Sequence, residues 1–185
     1  MKRSFAWLFV AFLVADLLVF LWWRHERERK FDVQIAAAAK RYQIDPALIK
    51  AVIWRESGFD PQARGAAGEI GLMQVREDAA IEWSSSEHMR ALSQAELFSP
   101  SKNIMAGSFY LAKLLKRYRQ TDNPLPYALA DYNAGRTHVL RWNKGAASTN
   151  SSVFLTQIDY PTTKTYAESV IKRYQHYRGQ FARAG

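Results

Sequence analysis

The sequence predicts an all-α fold, and three observations carry that expectation. Apolar residues recur at helical spacing in one segment after another. No stretch of useful length alternates apolar and polar residues as a half-buried strand would. The segments are separated by Asp-Pro, Gly and Asn-Ala-Gly punctuation of the kind that starts and stops helices. The 185 residues, 48% apolar and 14% aromatic, suffice for one ordinary domain with a packed core plus an appendage. No internal repeat is present.

The first element is the appendage. After a short N-terminus (residues 1–4), expected to be cytoplasmic, comes FAWLFVAFLVADLLVFLWW, Phe5 to Trp23, in which Asp16 is the one polar residue. At ~1.5 Å per residue this run reaches about 28 Å, close to the ~30 Å thickness of a hydrocarbon core. Trp22 and Trp23 fall where an interfacial aromatic belt would lie, and no small-x-small cleavage site precedes the charged run RHERERK. The segment is therefore expected to be an uncleaved transmembrane signal anchor. Asp16 weighs against it by about 2.5–3.5 kcal/mol on insertion scales. That residue either contacts a partner helix or is tolerated, snorkelling or protonated. Basic residues flank both ends, so charge alone does not fix the orientation.

Residues 24–40 are expected to hold a juxtamembrane segment and a leading helix, the alanine-rich IAAAAKRY lying within Phe31 to Gln43. Asp45-Pro46 starts the next helix, with Asp as N-cap and Pro in the first turn, and that helix runs to about Ser57 and stops at Gly58. GFDPQARGAAGEIG, Gly58 to Gly71, is rich in turn formers and reads as an ordered loop. A short helix is expected around REDAAIEW. SPSKNIMAGSFYLAKLLKRY, Ser99 to Tyr118, is strongly amphipathic, with Ile104, Phe109, Leu111 and Leu115 on its buried side. TDNPLP breaks the chain. YALADYNAG, Tyr127 to Gly135, is a helix with an Asn-Ala-Gly stop. RTHVLRWNKG is short and helical, GAASTNSS is a flexible loop, and a last helix spans about Thr162 to Phe181.

Composition removes several chemistries. With no cysteine there is no disulfide, thiolate metal site, Cys nucleophile or lipidated N-terminal Cys. His25, His88, His138 and His176 do not pair at metal-ligand spacing, and HExxH, GxxxxGK[ST] and GxGxxG are absent, so no metal and no cofactor are expected; composition leaves a Ser/His/Asp triad open, but no GxSxG elbow is present. Hydrolysis or group transfer driven by a carboxyl group remains. The formal charge of +9 speaks to solubility or to a polyanion such as nucleic acid, anionic lipid or an acidic cell-wall polymer. KRYQHYR, Lys172 to Arg178, is the one stretch that invites nucleic acid, and a solvated helix face explains it, so no nucleic-acid partner is expected.

One carboxyl group stands out. Ile49, Val52, Ile53 and Glu56 form an i, i+3, i+4, i+7 stripe, three greasy residues and an acid. A glutamate on such a face is desolvated, which raises its pKa, and the C-terminal end of the helix dipole acts the same way. A carboxyl held protonated near neutral pH can protonate a leaving oxygen, the task of the acid in a glycosidase. The plainer alternative is a helix-end glutamate that rotates into solvent or pairs with an arginine.

The surrounding motifs widen the argument. DPALIKAVIWRESGFDP, then GEIGLMQV at Gly68 to Val75, NIMAGSFYLAKLL at Asn103 to Leu115 and ALADYNAG at Ala128 to Gly135 resemble the soluble lytic transglycosylases, lysozyme-like enzymes that cleave peptidoglycan. RTHVLRW resembles the short helix that follows YNAG in that family. The resemblance covers roughly Tyr42 to Tyr174. It implies a lysozyme-like helical catalytic domain over residues 41–185, with Glu56 as the single catalytic acid. Glu56 would protonate the bond between N-acetylmuramic acid and N-acetylglucosamine. It would then take the proton of the muramic C6 hydroxyl as that oxygen attacks the anomeric carbon, leaving a 1,6-anhydromuramic end.

Ser57 completes the family's Glu-Ser pair. Gln74, Tyr132 and Asn133 match positions lining the sugar cleft, and Met73 falls on the same GLMQ segment, where core packing competes with a binding role. Gly71 and Gly135 suit backbone conformation better than ligand contact. The chain departs from the family at Gly65, where a serine is common, at Arg76-Glu77, where methionine-proline is common, and at Thr162, which replaces the acid of an E-T-R-x-Y segment; Arg76 would suit an anionic stem peptide or be simply a surface residue.

A membrane-anchored member would sit in the bacterial inner membrane as a single-pass protein with its domain in the periplasm. Its partners would be glycan strands, the membrane and a possible cell-wall or secretion-complex protein. Two other readings stay open: a hydrolytic muramidase using a second carboxylate such as Asp60, Glu69, Asp78 or Asp131, and a weakly catalytic wall-binding or secretion-assembly module.

Overall fold

The structure, a computed structural model, describes the backbone of residues 2–184 and the side chains of residues 12–180. The chain divides into two units, Met1–Asp32 and Val33–Gly185. The first is dominated by α1 (Lys2–Arg29). Its large apolar side chains between Phe12 and Trp23 are 47–64% exposed. Among the described residues no helix is long and apolar enough to cross a membrane. The side chains of 5–11, part of the expected span 5–23, lie outside the described residues.

The second unit is all-helical, as the periodicity predicts: α2 (Asp32–Tyr42), α3 (Pro46–Ser57), α4 (Glu77–Ser86), α5 (Pro100–Arg117), α6 (Pro124–Ala134), α7 (Arg136–Trp142), α8 (Ser151–Gln157) and α9 (Pro161–Ala184). Among the described residues the β-type pairings are isolated bridges, Arg64 with Ile70 and Ile70 with Val75, inside the loop after α3.

The core is organised around α3. Asp45 caps it by accepting from the Ala47 N–H at 2.9 Å, and Pro46 occupies the first turn, where its missing N–H costs nothing. Gly58, at φ +55°, ends the helix by donating its N–H to the Trp54 carbonyl. Every residue from Ala47 to Ile53 is buried, which goes beyond a stripe and marks α3 as a central helix. α9 packs along it, burying Tyr166, Ala167, Val170 and Tyr177, and α6 packs on both α9 and α5. The wholly buried members of α5 are Ile104, Ala106, Gly107, Ser108, Leu111 and Leu114, whereas Phe109 and Leu115 are half-buried. The buried face thus mixes the small residues Ala106, Gly107 and Ser108 with the larger Ile104, Leu111 and Leu114.

Two expectations are corrected. TDNPLP does not break the chain before Tyr127. Asn123 accepts from the Leu125 N–H at 3.1 Å, and α6 begins at Pro124 with both prolines in its first turn, where no N–H partner is needed. GAASTNSS is not a flexible loop either. Residues Gly145–Ser148 form a 3-10 turn, and Asn150 caps α8 by accepting from the Val153 N–H at 3.1 Å. The reason lies in a second hydrophobic core. Phe154 of α8 stacks on Tyr127 with ring centroids 4.1 Å apart, and the buried Tyr127 hydroxyl donates to the Ala147 carbonyl at 2.7 Å.

Candidate active site

α3 delivers Glu56 in its last turn, into a cleft of about 400 Å³ whose lining includes Glu56, Glu69, Gln74, Tyr110, Tyr132 and Asn133. The helix neither rotates the acid into solvent nor pairs it with an arginine. Its partner is a phenol: the Tyr166 hydroxyl, from α9, donates to Glu56 Oε1 at 2.6 Å. Burial pushes the Glu56 pKa up to about 7, against the opposing pull of the Tyr166 hydrogen bond and the Arg55 charge, while the nearby Glu69 adds to the rise. The Arg55 guanidinium lies 5.4 Å from the centroid of the Tyr166 ring. A proton-bearing carboxyl at neutral pH is what general acid catalysis at an ether oxygen needs.

The facing wall is the loop 58–76, and buried hydrogen bonds hold it. Ser57 Oγ donates to the Leu72 carbonyl at 2.8 Å and to the Ile53 carbonyl at 3.2 Å, tying the loop to the end of α3. Asn103 of α5, 1% exposed, accepts from the Met73 N–H at 2.8 Å and donates to the Ile70 and Leu97 carbonyls at 2.8 Å each. Met73 is wholly buried against α5. A Cβ on Gly107 would stand 2.6 Å from its sulfur, so glycine is needed there for the loop to close down. The Met73 carbonyl accepts from the Tyr132 hydroxyl at 2.7 Å, which fixes that ring in the cleft.

Gln74 follows in a left-handed conformation, φ +47°, rare for a residue with a side chain. It is held by its N–H to the Gly71 carbonyl at 3.1 Å and by Nε2 to the same carbonyl at 3.0 Å. Across the cleft, Asn133 Oδ1 accepts from Thr163 Oγ1 at 2.8 Å. Gly71 and Gly135 have φ of +75° and +85°.

Of the residues singled out in the sequence, Glu56, Gln74, Tyr132 and Asn133 come together in the cleft. Ser57 and Met73 are not among its lining residues: the first is a loop tie, and the second is core beneath the wall. Among the acids considered for a second carboxylate, Glu69, Asp78 and Asp131 line the cleft and Asp60 does not. Asp60 closes a turn with the Gln62 N–H at 2.9 Å. Asp131, with its side chain 1% exposed, has its Oδ2 held by Arg117 at 2.5 Å and by the Tyr118 hydroxyl at 2.7 Å, while its Oδ1 has no hydrogen-bond partner among the described residues.

Sequence reasoning assigned no role to Tyr166 or Asn103. The signals were present, since Tyr166 ends the TTKTY segment and Asn103 opens NIMAGSFYL, but neither spacing nor residue type says that one touches the acid and the other the loop. Because the Tyr166 hydrogen bond favours the charged carboxylate, Tyr166→Phe is expected to raise the Glu56 pKa above about 7. Activity from the protonated acid then persists to higher pH. A pH–rate profile whose alkaline limb stays put or moves down would contradict this.

A family model described as Transglycosylase SLT domain matches residues 34–155. The chain is 38% identical over 118 residues to membrane-bound lytic murein transglycosylase F of Desulfosudis oleivorans, covering 62% of this chain and 24% of that protein. It is 35% identical over 122 residues to membrane-bound lytic murein transglycosylase C of Edwardsiella ictaluri, covering 63% and 34%. The chain thus spans about a quarter to a third of the length of these curated relatives. Among solved structures, an inactive mutant of lytic transglycosylase Slt from Pseudomonas aeruginosa superposes with a TM-score of 0.74 at 26% identity, covering 81% of this chain and 24% of that one. The 70 kDa soluble lytic transglycosylase of Escherichia coli shares the fold, with a TM-score of 0.69 at 24% identity over 79% of this chain and 24% of that one. With the model spanning α2 to α8 and the same helical fold recurring in those structures, the chain belongs to the transglycosylase SLT domain family.

Proposed function

We propose that this chain is a peptidoglycan lytic transglycosylase, a carbon–oxygen lyase acting on a polysaccharide. The observation that carries the reading is Glu56, a desolvated carboxyl whose pKa is pushed up to about 7 in a cleft whose lining includes amide and phenol side chains. Glu56 gives its proton to the glycosidic oxygen as the bond from the muramic C1 breaks. The departing N-acetylglucosamine keeps that proton on its O4. Glu56, now a carboxylate, takes the proton of the muramic C6 hydroxyl while that oxygen bonds to C1. The acid is restored, no water is consumed, and the product is a 1,6-anhydromuramic end. Tyr166 holds the carboxyl in place through both steps. Gln74, Tyr132 and Asn133 offer the amides and aromatic faces that sugars bind.

A hydrolase would need another carboxylate committed to water or to the anomeric carbon. Asp131 is engaged by Arg117 and Tyr118, which disfavours that role for it. A pure wall-binding module has no use for a desolvated acid. Peptidoglycan treated with the purified protein is expected to lose sedimentable mass as soluble fragments appear. A folded protein that binds the wall and releases nothing would favour the binding module instead.

The reading extends to location. The apolar, exposed α1 side chains from Phe12 to Trp23 and the relatives' designation as membrane-bound support an anchor over residues 5–23, a juxtamembrane stretch over 24–40 and a domain over 41–185 facing the wall from the periplasmic side of the inner membrane. The full chain is then expected to stay with membranes through alkaline carbonate washing, and its release into the supernatant would remove the anchor from the account.

A further inference from the structure

Of the carboxylates that line the cleft besides Glu56, Glu69 is the one on the loop, and the loop is built to admit it. Gly65 does not have a positive φ, so the backbone does not call for glycine there. Space does. A Cβ on residue 65 would stand 2.3 Å from Glu69 Oε2, 2.7 Å from Gln74 Oε1 and 3.0 Å from Glu69 Cβ. Glu69 is fixed in that gap, since its Oε2 accepts from the Ala67 N–H at 3.0 Å and its carbonyl accepts from the Gly65 N–H at 2.8 Å. The two arginines of the loop are occupied elsewhere: Arg64 lies over the Phe98 ring at 4.5 Å, and Arg76 pairs with Asp78 at 3.7 Å. Beside Glu69, Gln74 spends its Nε2 on the Gly71 carbonyl, which leaves its oxygen as the group offered to a ligand. Two acceptors therefore line the cleft together with the acid. A glycan is rich in the matching donors.

We propose that Glu69 is a substrate-contacting carboxylate of this cleft, seated by Gly65 beside Gln74, where it accepts hydrogen bonds from hydroxyl or acetamido N–H groups of the sugar next to Glu56. The inference rests on the glycan-cleaving reading above. It gives a reason for glycine at residue 65: a β-carbon there would displace the Glu69 carboxylate.

The same negative charge acts on the acid. The groups facing Glu56 are Arg55 on its own helix, Tyr166 on α9, Tyr132 on α6 and Glu69 on the loop. Glu69 is the negative one among them and favours the protonated form of Glu56. Farther along the lining, Asp78 is paired with Arg76, Asp131 is paired with Arg117, and Tyr110 is uncharged at neutral pH, burial having raised its pKa.

The test uses the full chain in detergent. Glu69→Gln keeps an acceptor for the Ala67 N–H, so the turn survives, and it removes the charge. KM for glycan is expected to rise about tenfold, the usual advantage of a charge-assisted hydrogen bond. Glu56 works from its protonated form, and losing a negative neighbour lowers its pKa. The alkaline limb of the pH–rate profile should therefore move to lower pH, as should the Glu56 carboxyl titration followed by NMR. Gly65→Ser, by displacing the carboxylate, should reproduce both effects. In a Glu56→Gln background, binding of an N-acetylglucosamine tetramer should weaken about tenfold when Glu69→Gln is added.

Unchanged tetramer binding, or a Glu56 titration that ignores Glu69→Gln, overturns the proposal. If the native protein cuts no glycan, the activity reading falls, while tetramer binding and the carboxyl titration still decide the role of Glu69.

Discussion

Glu56→Gln is expected to leave the chain folded and to lower glycan cleavage by a factor on the order of 10³–10⁴. That is the upper end of what a positioned acid–base group contributes, and here one group performs both proton transfers. The glutamine can still accept from Tyr166, so the site keeps its shape. The variant should also be more stable than the native protein at alkaline pH, and the sign follows from linkage. The ordinary glutamate value is 4.5, and in the folded chain Glu56 titrates at about 7. Between these values the folded state binds more protons than the unfolded state, so native stability falls as pH rises through that window. Below about pH 4.5 the two proteins should be equally stable. Above about pH 7 the glutamine should be favoured by up to about 3 kcal/mol, less where solvent reaches the carboxyl from the cleft. Denaturant titrations at both ends of the window measure the difference. Equal stability at alkaline pH would mean that Glu56 is not desolvated, and the central chemical argument would lose its basis.

The second large effect is expected far from the chemistry. Asn103→Ala removes the acceptor of the Met73 N–H and the donor to the Ile70 and Leu97 carbonyls, in a site 1% exposed. The Met73 N–H and the Leu97 carbonyl lose this partner, while the Ile70 carbonyl keeps the Val75 N–H at 2.9 Å, and a loss of about 2–4 kcal/mol is expected. Activity should fall with it, because the same wall presents Gln74 and the Met73 carbonyl that positions Tyr132. Asn103→Asp would keep the acceptor and turn a second oxygen toward two carbonyls, so it should not rescue. A thermal shift within a degree or two of the native protein would show that the loop is held some other way.

The helices of the domain were legible because their signals are local. Asp45-Pro46 and Gly58 bound α3 in the sequence and in the structure, and the alanine run of α2 and the amphipathic pattern of α5 needed no tertiary knowledge. The miss at α8 was non-local. α8 has a weak local signature in a Ser- and Asn-rich stretch and is organised by Phe154 stacking on Tyr127, far away in the chain. The start of α6 was misplaced because proline signals a break unless an N-cap stands just before it, as Asn123 does.

In the candidate site, Glu56 was visible as an acid on an apolar stripe. Its partner Tyr166 was not, being 110 residues away with no pattern linking the two. Glu69 could be written down as a carboxylate but not placed, because the space it fills is defined by a side chain that residue 65 lacks.

The most direct measurement is mass spectrometry of the soluble muropeptides released from purified peptidoglycan by the native full chain and by Glu56→Gln. The account predicts products one water lighter than hydrolysis products, resistant to borohydride reduction and absent with the variant. Reducible muramic ends from the native protein would contradict it, and would mean that a second carboxylate in the cleft delivers water to the anomeric carbon.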